Sequence, residues 1–208
     1  MSWRALEGWW QTHAMRDHLE APSGLVLRQW AAVDARAVLA AFADPLMREQ
    51  SAEPLDSLSA AERWIAERQD EWSAGTAYAF AVTDGSGGGN GGAVLGQMSI
   101  GGVHRRHRIG WVSYWTTAAA RGRGVASRAC RVAAEWAFTD AGLFRLELGH
   151  RVNNPASCAV ARAAGFAVEG RQRQKLEYDG VRYDVELHAR LATDPGPVNG
   201  AHTVDSSN

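Results

Sequence analysis

In Trp111-Val112-Ser113-Tyr114-Trp115-Thr116-Thr117-Ala118-Ala119-Ala120-Arg121-Gly122-Arg123-Gly124-Val125-Ala126, a strand-like run gives way to a helix across a short junction holding two glycines and two arginines. The helical side is set by Val125, Ala129, Val132, Ala133, Trp136 and Ala137, which keep a 3.6-residue period. Glycines at such a junction remove the Cβ wall, so that successive backbone N–H groups can point into one concavity. The helix adds its own first-turn amides and the positive end of its dipole. The combination suits a pyrophosphate, with Arg121 or Arg123 adding charge-assisted hydrogen bonds and the short Ala126 permitting close approach. Local spacing alone also fits a glycine-softened turn carrying two solvated arginines.

Two familiar nucleotide loops do not fit. A Walker loop ends in Gly-Lys-Ser/Thr, and the one lysine of the chain, Lys175, is far away. A dinucleotide fingerprint needs a third glycine, whereas Gly122-x-Gly124 is followed by Val125-Ala126-Ser127.

Outward from this junction the chain alternates helical and strand patterns. Leu25 to Arg28 reads as a first strand, Ala31 to Phe42 as a helix stopped by Asp44-Pro45, and Ser59 to Trp72 as a second helix capped by Ser57 or Ser59. Strands follow on either side of the glycine-rich stretch Asp84 to Gly92, which is read as a connector because a strand, not a helix, comes after it. Ile109 to Thr116 and Phe144 to Leu148 are strands, Ala156 to Ala164 is a short helix closed by Gly165, and Tyr183 to Leu191 is a last strand. The order β-α-α-β-β-β-α-β-α-β suggests a mixed α+β or α/β sheet with helices on both faces.

Composition sets the outer bounds. The 208 residues carry 22 Lys+Arg against 23 Asp+Glu, which argues against a broad nucleic-acid footprint. Chains of this size bury about 70% of their unfolded surface, so neither disulfides nor metal are needed as staples. Cys130 and Cys158 form no zinc set, and the seven histidines show no metal spacing, so no metal is expected. No apolar run is long enough to span a bilayer and the first twenty residues hold no signal-peptide core, so a cytoplasmic protein without membrane attachment is expected.

Further motifs lie in order along the chain. Arg121 to Ala126 resembles the Gln/Arg-x-x-Gly-x-Gly/Ala acetyl-CoA loop of the GCN5-related N-acetyltransferases (GNAT). Asn154-Pro155-Ala156-Ser157, with Val160 and Ala164-Gly165-Phe166, resembles that family's Asn-x-x-Ser helix ending in Gly-Phe. Leu25-Val26-Leu27-Arg28 with Asp34 and Phe42-Ala43-Asp44-Pro45, and the closing Asp179 to Asp184, are similar to its RimJ/RimL-like branch. The resemblance spans residues 25–191, preceded by an extension (1–24) and followed by a tail (192–208) read as disordered.

The resemblance implies the GNAT acyl-CoA N-acyltransferase fold, a mixed twisted sheet splayed between its fourth and fifth strands. It also implies transfer of an acetyl group from acetyl-CoA, as cosubstrate, to a primary amine such as a protein or peptide N-terminal α-amine. A small amine or antibiotic as acceptor, or a non-catalytic acyl-CoA-binding regulatory module, are the alternatives. Cofactor contacts fall to the backbone around Trp115, Thr116 and Thr117, to Arg121, Gly122, Arg123, Gly124, Val125, Ala126 and Ser127, and to Asn154 and Ser157. Glu147 stands where relatives often place a general base, or is an exposed strand residue paired with Arg145. Ser157 matches the serine that stabilises the leaving thiolate, or only bonds within its helix's first turn; the family's alternative tyrosine position is Ala161. Cys158 reads as a small buried thiol, and His104-Arg105-Arg106-His107-Arg108 as a solvated hairpin tip that could instead meet RNA. Trp3, Trp9 and Trp10 could cover an apolar surface, form a homodimer contact or shape the acceptor pocket.

Overall fold

A computed structural model describes residue 16 and residues 18–21, 24–48, 53–86 and 91–196. The three early tryptophans, the middle of the glycine-rich stretch (87–90) and residues 197–208 of the tail lie outside the described residues. The described elements are β1 (His18–Ala21), β2 (Leu25–Gln29), α1 (Ala35–Phe42), α2 (Pro45–Arg48), α3 (Leu58–Ala74), β3 (Tyr78–Thr83), β4 (Val94–His104), β5 (Ile109–Thr116), α4 (Val125–Thr139), β6 (Arg145–Arg151), α5 (Pro155–Ala163), β7 (Ala167–Tyr178) and β8 (Val181–Leu191). Short 3-10 turns at Ala32–Asp34 and Ala118–Ala120 lead into α1 and toward α4.

The strands form one sheet in the order β1-β2-β3-β4-β5-β6-β8-β7. Pairing is antiparallel except between β5 and β6, which run parallel. That junction needs a crossover, and α4 supplies it. β3 is buried along its whole length because helices cover both faces. On one face Ala79, Ala81 and Trp115 pack under Val38 and Phe42 of α1 and Ala61 and Ile65 of α3. On the other, Phe80, Met98, Val112, Leu146 and Leu148 pack under Ala129, Ala133 and Trp136 of α4.

The helix boundaries follow local chemistry. Ser57 Oγ accepts from the Ala60 N–H at 3.2 Å and starts α3, and Asn154 Oδ1 accepts from the Ser157 N–H at 3.1 Å and starts α5. Arg28 and Asp34 meet in a buried two-pronged pair at 2.7 and 2.9 Å, and Asp34 also accepts from the Ala31 N–H at 2.9 Å. This pair ties β2 to the start of α1.

Two strands depart from the sequence reading. β1 belongs to the sheet, so the segment before residue 25 ends as an edge strand rather than a separate extension. β7 has no counterpart in the expected order: nine of its first residues in succession are exposed, so Ala167 to Lys175 carries no apolar alternation to read. The tail differs as well, since Leu191 N–H donates to the Asp194 carboxylate at 2.8 Å and residues 192–196 have a defined path. Among the described residues no helix is long and apolar enough to cross a membrane.

Candidate active site

β5 and β6 pair only through Ile109–Arg145, Gly110–Leu146 and Trp111–Glu147. Beyond that point they diverge. A cleft of about 670 Å³ opens between Val112 to Thr116 on one side and Leu148 to Arg151 on the other. Counted from β2, these are the fourth and fifth strands, where the splay was expected.

The floor of the split is backbone. Thr117 N–H donates to the Leu95 carbonyl at 2.9 Å, so it faces β4. Alternation along an antiparallel ladder gives Trp115 the same direction and turns the Tyr114 and Thr116 amides toward the opening. Of the three amides expected to face the split, Thr116 does so, and Trp115 and Thr117 do not. The Trp115 ring is buried, stacked on Trp30 at 6.1 Å between centroids and edge-on to Phe42 at 5.6 Å.

At the far end of the cleft stands the glycine–arginine junction. Gly122 (φ 71°) and Gly124 (φ 68°) both take the left-handed conformation that L side chains resist. Gly124 is the N-cap of α4 and brings no side chain to cap it, so the first-turn amides face outward with the helix dipole behind them. Gly122, Gly124, Val125, Ala126 and Ser127 line the cleft, as do Asn154 and Ser157. Arg121 lines it too, but its guanidinium is engaged with Asp44 at 2.7 Å. Arg123 is exposed and is not among the lining residues. Arg128, one helical turn on, has a buried Nε with no hydrogen-bond partner. Like Arg123, it is not among the residues that line the cleft.

Ser157 meets a partner from across the split. The Tyr114 hydroxyl donates to Ser157 Oγ at 3.0 Å, and burial pushes the tyrosine pKa up to about 12. No spacing along the chain pointed to Tyr114. Glu147 occupies the fork itself, opposite Trp111, with its carboxylate accepting from Arg145 Nε at 2.8 Å; it is not among the cleft-lining residues. On the opposite face of the sheet a second hollow of about 490 Å³ shares Ser113 and Trp115 with the cleft and is lined by Trp64, Arg68 and Glu71. The basic turn between β4 and β5 is drawn back onto the body: Arg105 donates to the Ala74 carbonyl and Arg108 to that of Gly142, each at 2.8 Å.

This geometry coincides with clear similarities to known proteins. Residues 24–167 match the model of the acetyltransferase (GNAT) domain. The ribosomal-protein-serine acetyltransferase of Escherichia coli (strain K12) is 28% identical over 98 residues, covering 47% of this chain and 55% of that protein. The chain thus spans about half the length of the curated relatives it matches. The structure of Mycobacterium smegmatis RimJ in complex with CoA-disulfide superposes with a TM-score of 0.72 at 28% identity, covering 84% of this chain and 86% of that one. The ribosomal-protein-S5-alanine acetyltransferase of Vibrio fischeri shares the fold, with a TM-score of 0.73 at 22% identity over 85% of this chain and 97% of that one. With a split sheet, an uncapped helix start at the split and a family match over most of its length, the chain belongs to the GNAT acetyltransferase family.

Proposed function

We propose that the protein is an acetyl-CoA-dependent N-acetyltransferase whose acceptor is a primary amine, with a protein or peptide N-terminal α-amine as the acceptor class. The observation that carries this reading is the meeting, in one cleft, of the uncapped α4 start at Gly124 with the Tyr114–Ser157 pair. The names of the relatives, which include ribosomal-protein acetyltransferases, support the acceptor class.

The residues fit the cosubstrate. The first-turn amides of α4 and the Gly122 turn would hold its diphosphate. Asn154 and the opening-facing amides of Tyr114 and Thr116 would hold the amide-bearing arm and the acyl oxygen. When bound, acetyl-CoA supplies an acyl thioester whose carbonyl carbon is attacked by the neutral amine. Ser157 donates its hydroxyl hydrogen toward the departing sulfur. The Tyr114 O–H donates to Ser157 Oγ, so the serine's own hydrogen is left for that task. Glu147, at the fork, takes up through solvent the proton that the amine loses. The second hollow is the approach for the acceptor, where Glu71 pairs with Arg68 at 3.5 Å.

The test is release of free CoA on mixing the protein with acetyl-CoA and a panel of peptides and small amines, with the acetylated atom located by mass spectrometry. Turnover confined to peptides with free N-termini establishes the reading. Turnover only with small amines moves the acceptor class, and cofactor binding without turnover on any amine overturns the enzyme.

A further inference from the structure

We propose that His150, Cys158, Glu186 and His188 form a binding site for one divalent transition-metal ion of the zinc type, beside the cleft. The four side chains come from three elements, β6, α5 and β8, and their donor atoms all lie within 4.8 Å of one another. His150 Nε2 and His188 Nε2 face each other at 3.0 Å. Glu186 Oε1 is 3.0 Å from His188 Nε2 and 3.5 Å from His150 Nε2, and Cys158 Sγ is 3.5 Å from the same oxygen.

The four shortest separations, 3.0 to 3.5 Å, are close to those of a coordination shell, and the widest reaches 4.8 Å. Bonds of about 2.0–2.1 Å to nitrogen or oxygen and about 2.3 Å to sulfur place tetrahedral donors roughly 3.3–3.6 Å apart. Accepting an ion therefore asks the two imidazoles to part by a few tenths of an ångström and the most distant donors, 4.8 Å apart, to close by about an ångström. His150 is already set for it: its Nδ1 stands 2.9 Å from the Arg151 carbonyl and holds the proton there, which leaves the Nε2 lone pair aimed into the cluster. Both rings are buried, His150 to 6% exposure and His188 to 0%. Two imidazoles, a thiolate and a carboxylate suit zinc or cobalt and not magnesium or calcium, and the two negative charges match a divalent cation.

Binding moves two protons and no electrons. The Cys158 S–H bond breaks, its proton goes to solvent and the thiolate binds the ion. The His188 proton passes from Nε2 to Nδ1, an atom that is buried and has no partner among the described residues. The site does not depend on the acetyltransferase reading.

The experiment uses the full-length chain without an affinity tag, stripped with a chelator and titrated with Zn²⁺ against a chromophoric competitor, then with Co²⁺ followed by absorbance. The expected result is one tight equivalent per chain and a thiolate-to-cobalt charge-transfer band with tetrahedral visible intensity. Cys158→Ser removes the band, and Glu186→Gln and His188→Gln each weaken zinc by at least about tenfold, the loss that even an outer-shell partner causes. Circular dichroism of the metal-free variants reports folding. Should His188→Gln not fold, the partly exposed Cys158 and Glu186 decide alone. A weak zinc isotherm that Cys158→Ser and Glu186→Gln leave unchanged, or a cobalt spectrum without the sulfur band, overturns the site.

Discussion

Tyr114 of β5 and Ser157 of α5 meet at 3.0 Å across the mouth of the split sheet, with the phenol as donor. The order of donation makes Ser157 the acting group and Tyr114 a positioning residue. Ser157→Ala should lower kcat about 100-fold, the usual scale for one lost donor at a developing charge. Tyr114→Phe should cost about tenfold or less, and the double variant should resemble Ser157→Ala alone, because the phenol acts through the serine. Because burial pushes Tyr114 up to about 12, it stays protonated at neutral and mildly alkaline pH. The kcat profile should therefore show no basic limb that Tyr114→Phe removes.

At the other end of the cleft, Gly124→Asp should weaken acetyl-CoA at least about tenfold by calorimetry, since a carboxylate at an uncapped helix start competes with the diphosphate. Gly124→Ala controls for backbone strain. It should cost about 1–2 kcal/mol of stability from the left-handed φ of 68° while retaining most of the affinity.

Glu147→Gln should reduce kcat about 100-fold with acetyl-CoA affinity by calorimetry unchanged. An unchanged kcat would assign Glu147 to its pair with Arg145 alone.

Removing one side of the buried Arg28–Asp34 pair leaves an uncompensated charge between β2 and α1. Asp34→Ala should destabilise the protein by about 3–5 kcal/mol in urea unfolding, far more than any exposed pair.

Arg16 pairs with Asp140 at 2.7 Å, and Asp140 is the C-cap of α4, where a negative charge opposes the helix dipole. The hydrogen bonds from Arg16, more than its charge alone, hold the Asp140 carboxyl below the usual carboxylate range. Its folded pKa thus lies under its unfolded value of about 3.9. The stabilisation is complete above that value and is lost as pH falls through the folded pKa. Arg16 is mostly exposed, so Arg16→Ala should cost less than about 1 kcal/mol near neutral pH, and the gap to the native protein should close in acid. Urea midpoints at a series of pH values check both statements.

Local chemistry decided a large part of this molecule, and the sequence carries that part openly. Nine helix and strand patterns from Ala31 onward, the Asn154 cap and the glycine–arginine junction are each written within a few neighbouring residues, because period, capping and left-handed φ are short-range properties. Tertiary structure decided the rest. β7 is exposed on both faces through most of its length and is a strand only because β8 pairs with it. Arg121 is drawn to Asp44, 77 residues away, and Tyr114 to Ser157, 43 residues away. The four-donor cluster exists because β8 pairs with β6, which sets Glu186 opposite His150 and His188 two residues along the same face. Strand order and register bring such groups together, and neither is encoded in the spacing of the residues along the chain.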